Sequence, residues 1–165
     1  MIVEVMIFIV EIRVMERYKD GFCITTDAGR MDLVAVHQFL STQAYWCLNI
    51  PFERVKRGAE HSLNFSLLDE QGRQVGYARV ISDRSTIAYL GDVYVLPEYR
   101  GRGLSKWLIA TVMEHPELQG LRRWILLTGD AHGLYKQYGW KPIAAPDRWM
   151  EVTPSGAPYP VLPKE

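Results

Sequence analysis

Two cysteines, Cys23 and Cys47, are all that the 165 residues contain, and no Cys-x-x-Cys or Cys/His cluster at metal-ligand spacing accompanies them. A zinc site is therefore not expected, and both residues read as buried free thiols. Net charge is also missing: 19 lysines and arginines face 19 acidic residues, so no broad field draws nucleic acid or an anionic membrane. No apolar run reaches the roughly 20 residues of a membrane span, because Glu4, Glu11 and Arg13 interrupt the apolar start. That start also lacks the basic end and small-residue cleavage site of a signal peptide. A cytoplasmic protein that contacts neither membrane nor nucleic acid is the expectation. Repeats and low-complexity tracts are absent too, and one core accounts for a chain of this length with 48% apolar residues and five tryptophans.

The turn chemistry and apolar periodicity divide the chain into three parts. Residues 1–21 form an N-terminal extension, open to three readings: an added strand, an oligomer contact, or sequence upstream of a start at Met15. Residues 22–152 form the domain. Residues 153–165, with four prolines, form an extended tail. Within the domain, Phe22–Thr26 reads as a strand, and Leu33, Val36, Phe39 and Leu40 mark a helix across Met31–Tyr45. Pro51 opens a surface helix over Phe52–His61 with Val55 and Ala59 inward. Leu63–Leu68 and Gln74–Ser82 pair through the turn Asp69-Glu70-Gln71-Gly72, and Ile87–Val95 continues the meander. Except for Asp92, Ile87–Val95 is apolar on both parities, as a strand covered on both faces requires. Two strand-helix units follow: Ile87–Val95 with Ser105–Glu114, then Trp124–Leu127 with a helix over Ala131–Tyr138, capped by Asp130 and closed by Gly139. The order predicts an α+β fold with a mixed sheet.

Most of the chemistry concentrates in Tyr94-Val95-Leu96-Pro97-Glu98-Tyr99-Arg100-Gly101-Arg102-Gly103-Leu104-Ser105. A buried strand, a basic glycine-rich turn and a helix start follow one another there. Gly101 and Gly103 let successive N–H groups turn inward, and the helix adds its unpaired amides. Arg100 and Arg102 supply the charge a diphosphate needs. No Walker lysine or dinucleotide spacing is present. This segment resembles the acyl-CoA diphosphate loop of the GNAT superfamily, [Q/R]-x-x-G-x-[G/A] after a strand ending Val-x-Pro. Arg100, Gly103 and Val95-Leu96-Pro97 match, and Ser105 departs from the final small residue only by its hydroxyl. Further on, Thr128 to Trp140 resembles the family's N-x-x-A-x-x-[L/F]-Y-x-x-x-G-F. Ala131, Leu134, Tyr135 and Gly139 are in register, with Thr128 in the Asn position and Trp140 for Phe.

The resemblance implies a mostly antiparallel, twisted central sheet with a splayed strand pair and helices on both faces. It also implies transfer of an acetyl group from acetyl-CoA to an amine, without a metal. The implied cofactor contacts are Val93, Val95, Arg100, Gly101, Arg102, Gly103, Leu104, Ser105 and Thr128. Tyr135 takes the place of the general acid, since a phenol with a reference pKa near 10 stays protonated at neutral pH. The base stays open: Asp92 is either that base or a hydrogen-bonded brace, and a water relay, His61 and His132 are alternatives. In relatives the acceptor pocket lies between the first two helices and the central strands, which points to Tyr45, Trp46, Tyr77, Arg79 and Tyr89. A small primary amine (amino acid, polyamine or xenobiotic) is the expected acceptor, and a homodimer the expected assembly. A protein amine as acceptor, a non-catalytic acyl-CoA module, and a nucleotide- or phosphate-binding protein are the competing readings.

Overall fold

The computed structural model describes residues 14–152. Residues 1–13 and the proline-rich tail at 153–165 lie outside the described residues. Six strands form one sheet in the order of the chain: β1 (Glu16–Lys19), β2 (Phe22–Thr25), β3 (Leu63–Leu68), β4 (Gln74–Ser82), β5 (Ile87–Val95) and β6 (Arg123–Leu126). Neighbours are antiparallel except β5 and β6, which run parallel. Helices α1 (Leu33–Thr42) and α2 (Phe52–Glu60) follow β2, α3 (Leu104–Met113) links β5 to β6, and α4 (His132–Lys136) follows β6. Among the described residues no helix is long and apolar enough to cross a membrane.

The sheet is covered on both faces. Against one side, Leu104, Leu108, Ile109 and Val112 of α3 pack on Phe65, Leu67, Ala78, Val80, Ala88 and Leu90. Against the other, Val36, Phe39 and Leu40 of α1 and Val55 of α2 pack on Tyr77 and Tyr94. The Phe39 ring stacks on Tyr94 at 3.8 Å between centroids. Burying one such leucine or phenylalanine contributes roughly 1.5–3 kcal/mol, so each face carries its own core. Cys23 and Cys47 are both buried and unpaired, and burial pushes the Cys47 thiol up to about 12.

Two elements depart from the bounds the sequence suggests. β1 lies within residues 1–21, where an added strand is one of the three readings, and joins the sheet of the domain. Asp20 and Gly21, both at positive φ (49° and 81°), make the tight turn that folds it onto β2. Its residues Glu16-Arg17-Tyr18-Lys19 are largely exposed, so no apolar alternation announces it, and charge of this kind is common on strands at a sheet's edge. The last helix is only His132–Lys136, and Asp130 does not cap it. Instead the Thr128 hydroxyl accepts the Ala131 N–H at 3.0 Å. Gly139, at φ 82°, does terminate that turn, with the Trp140 N–H reaching back to the Tyr135 carbonyl at 3.4 Å.

Two irregularities in β5 position the site. Pairing with β6 covers only Ile87–Leu90 against Arg123–Leu126, so among the described residues Gly91–Val95 have no partner on that side. Opposite β4, the register skips between Tyr77↔Tyr94 and Arg79↔Gly91, leaving Asp92 and Val93 facing Ala78. Asp92 adopts φ 53° there, the left-handed region of a β-bulge. The core-facing parity consequently changes at the bulge: Ala88 and Leu90 before it, Val93 and Val95 after it, all pack on the α3 side.

Candidate active site

Beyond the bulge, Leu96 donates its N–H to Val75 across β4 at 2.8 Å, so on the strand's period of two the backbone of Val95 and Val93 faces away from β4. That is the unpartnered side. The Val95 carbonyl accepts Nε–H of Arg100 there at 3.1 Å. Pro97–Tyr99 then make one 3-10 turn, pinned by the Tyr99 hydroxyl to the Asp69 carboxylate at 3.0 Å.

Gly101 and Gly103 both sit in the left-handed region, at φ 77° and 75°, and an added Cβ at either would meet nothing within 4 Å. The glycines are thus required by backbone conformation, and the space before them is open. No side chain caps α3 at Gly103, and the first helical hydrogen bond is Trp107 N–H to the Gly103 carbonyl at 3.0 Å. The N–H groups of Leu104, Ser105 and Lys106 are left to bind an anion. This mouth fits a diphosphate.

The two arginines do not converge as the sequence suggested. Arg100 is turned to the β5 edge, whereas the Arg102 guanidinium lies over the rings of Phe22 and Tyr99, 5.7 and 5.8 Å from their centroids. Arg102 lines a cavity of about 630 Å³ with Lys19, Gly103, Leu104 and Trp107, and Asp20, Asp69 and Glu70 line it as well. Thr128 is committed to the α4 backbone.

Where β5 and β6 part, side chains from distant segments meet. Tyr135 is buried, packs edge-on against Trp140 at 5.9 Å, and its hydroxyl has no hydrogen-bond partner among the described residues. Burial, with the nearby Asp130 charge, pushes its phenol up to about 12, so it holds its proton at neutral pH. A second cavity, of about 790 Å³, opens beside it between β6, α4 and the segment carrying Trp140 and Trp149.

Asp92 has both oxygens engaged. Oδ2 accepts Nε–H of Arg79 at 2.7 Å and Oδ1 accepts Nε1–H of Trp46 at 3.3 Å. Of the two sequence readings, the geometry favours a brace that holds the bulge and the loop after α1 together. Arg79 also reaches Ser62 Oγ at 3.2 Å, so its charge is spent within the protein. Tyr77 is a correction: it is 1% exposed in the α1-side core, with its hydroxyl on Asn64, and offers nothing to a substrate. Tyr89 is half-buried opposite Ile125, and burial raises its phenol. Tyr45 is exposed and spans the gap: its hydroxyl accepts the Gly129 N–H at 3.1 Å and donates to Asp130 Oδ1 at 3.3 Å. His61 and His132 make no hydrogen bond to this cluster. Gly129 and Asp130 join this cluster through Tyr45; the sequence reads Asp130 only as a helix cap.

Among the described residues no three of His, Cys, Asp and Glu gather as a metal site. The acetyltransferase (GNAT) family pattern matches residues 33–140. A Gibberella zeae protein named as an acetyltransferase is 31% identical over 145 residues, covering 74% of this chain and 81% of its own length. A crystal structure of a GNAT-family protein from Xanthomonas campestris pv. campestris superposes with a TM-score of 0.79 at 50% identity, over 82% of this chain and 95% of that one. An acetyltransferase from Clostridium acetobutylicum, solved with acetyl-CoA, shares the fold at a TM-score of 0.61 and 16% identity, over 84% of this chain and 96% of that one.

Proposed function

The chain belongs to the GNAT acetyltransferase family, and from that premise we propose that it transfers the acetyl group of acetyl-CoA directly to the primary amine of a small molecule. The observation that carries the donor half is the open amide mouth of α3, continuous with the unpartnered edge of β5. Leu104, Ser105 and Lys106 N–H groups, with Arg102 beside them, hold the diphosphate. The Val93 and Val95 backbone holds the pantetheine arm as a missing strand would be held, and one of their N–H groups polarises the thioester carbonyl. Acetyl-CoA brings the activated acyl group; the chain supplies its orientation and the protons. Tyr135 gives a proton to the leaving sulfur.

The acceptor half rests on Tyr45, Trp46 and Tyr89, the first two packed edge-on at 5.0 Å, aromatic groups that suit a small amine. The test combines two measurements. Calorimetry with acetyl-CoA, CoA and ATP reads the donor site, and release of free thiol from acetyl-CoA in the presence of glycine, spermidine or tyramine reads transfer. The expected result is tight binding of both CoA species over ATP and thiol release that depends on one acceptor. Preference for ATP would overturn the donor assignment, and cofactor binding without transfer to any amine would leave a non-catalytic acyl-CoA module.

A further inference from the structure

An amine acceptor reaches a neutral active site as an ammonium and must lose a proton before it can attack, so an acyltransferase of this kind needs a base close to the thioester. Asp92 is poorly suited, since donors occupy both its oxygens. Resting on the acetyltransferase reading, we propose that Asp130 is the general base and that Tyr45 is the residue that positions it.

Asp130 lies on the short connection between β6 and α4, at the end of the gap left where β5 and β6 stop pairing. Tyr45 is its single hydrogen-bond donor among the described residues, and no cation pairs with it there, so one carboxylate oxygen is open and in contact with water. The direction of the Tyr45 bond is fixed. Because the phenol oxygen already accepts the Gly129 N–H, its own proton points to Asp130, which holds the carboxylate in place across 85 residues of sequence. Asp130 stands immediately before Ala131, the N-cap of α4, and Tyr135 lies within α4, so the suggested acid and base come from the same short stretch after β6. The other titratable groups around the gap are Tyr45 from the loop after α1, Tyr89 from β5, His132 from α4 and the internally paired Arg79 and Asp92.

The protons balance as follows. Asp130 takes one from the ammonium, the neutral nitrogen forms the new N–C bond at the thioester carbon, and the C–S bond breaks. Tyr135 protonates the sulfur and is restored by the second nitrogen proton, while Asp130 releases its own to solvent. One proton leaves overall.

Asp130→Asn keeps an oxygen for the Tyr45 hydroxyl, so the loop geometry should survive while the basic site is lost. With acetyl-CoA and whichever of glycine, spermidine and tyramine the wild type acetylates, kcat/KM should fall about 100-fold at pH 7. That deficit should shrink as pH approaches the amine's own pKa, with calorimetric affinity for acetyl-CoA unchanged. Tyr45→Phe should give a smaller loss of about 10-fold, mostly in kcat. Wild-type kcat/KM in Asp130→Asn at every pH, or a flattened pH profile in Asp92→Asn instead, would overturn the assignment. Failure of the wild type to acetylate any of the three would sink the parent reading before the variants are compared.

Discussion

The proposed donor and acceptor halves of the site are built in opposite ways. The donor half is backbone: one continuous segment, Val93 to Lys106, turns its own N–H groups outward by means of a bulge and two left-handed glycines. Side chains make most of the proposed acceptor half, where Tyr45, Trp46, Arg79, Asp92 and Asp130 are brought together from separate elements by individual hydrogen bonds and Tyr135 is held by packing on Trp140. A backbone site depends on conformation and tolerates few residue types at its pivots; a side-chain site depends on pairs and responds to each partner separately.

Four substitutions should sharpen that contrast. Gly103→Asp forces a side chain into φ 75° and a negative charge into the anion site, so acetyl-CoA affinity should drop on the order of 1,000-fold in calorimetry, at about 4 kcal/mol of strain and repulsion together. Tyr135→Phe keeps the packing against Trp140 and removes the proton donor. It should lower kcat about 100-fold with the acetyl-CoA dissociation constant held, and a loss confined to binding would break the division between the halves.

Arg79→Ala leaves the half-buried Asp92 without its 2.7 Å partner. A stability loss of about 2 kcal/mol by urea denaturation is expected, and it should nearly vanish in the Asp92→Asn background if the pair acts as one unit. The smallest effect lies outside both halves and serves as a control. His115, at the far end of α3, is buried with Nε2 unbonded, and burial lowers its imidazole below the ordinary value near 6.5. The unfolded chain therefore takes up the proton first as pH falls, so this contribution is complete above about pH 6.5 and is lost below it. His115→Gln should remove roughly a degree or two of the acid-side fall in Tm between pH 7 and 5.5, leaving transfer at pH 7.5 untouched.

The same contrast explains what the sequence made legible. Leu63–Leu68, Gln74–Ser82 and Ile87–Val95 stand in the structure with the bounds that apolar runs and turn residues predict, because each signal is local. The glycine-rich turn was readable for the same reason: positive φ at Gly101 and Gly103 is a property of the residue. Side-chain direction was not. Arg102 looked like a partner of Arg100 until Phe22, 80 positions earlier, offered its ring, and Tyr77 looked accessible until α1 covered it. Asp130 read as a helix cap because Thr128, two residues before it, has an equally suitable oxygen, and only the arrival of Tyr45 from the first third of the chain decides between them. Glu16–Lys19 carries no apolar pattern, so an added strand stays one of three readings for residues 1–21 until its pairing with β2 is seen.

The extra residue in β5 has a numerical consequence. Ala88, Leu90, Val93 and Val95 share a face only because Asp92 and Val93 together oppose one residue of β4. Deleting Asp92 would restore a plain ladder with every downstream side chain still on its present side, whereas inserting a neighbour would turn Val93 through Val95 over and bring Tyr94 into the α3 core. At this point in the chain a codon lost and a codon gained are not mirror images, and the length of the strand is more tightly held in one direction than in the other.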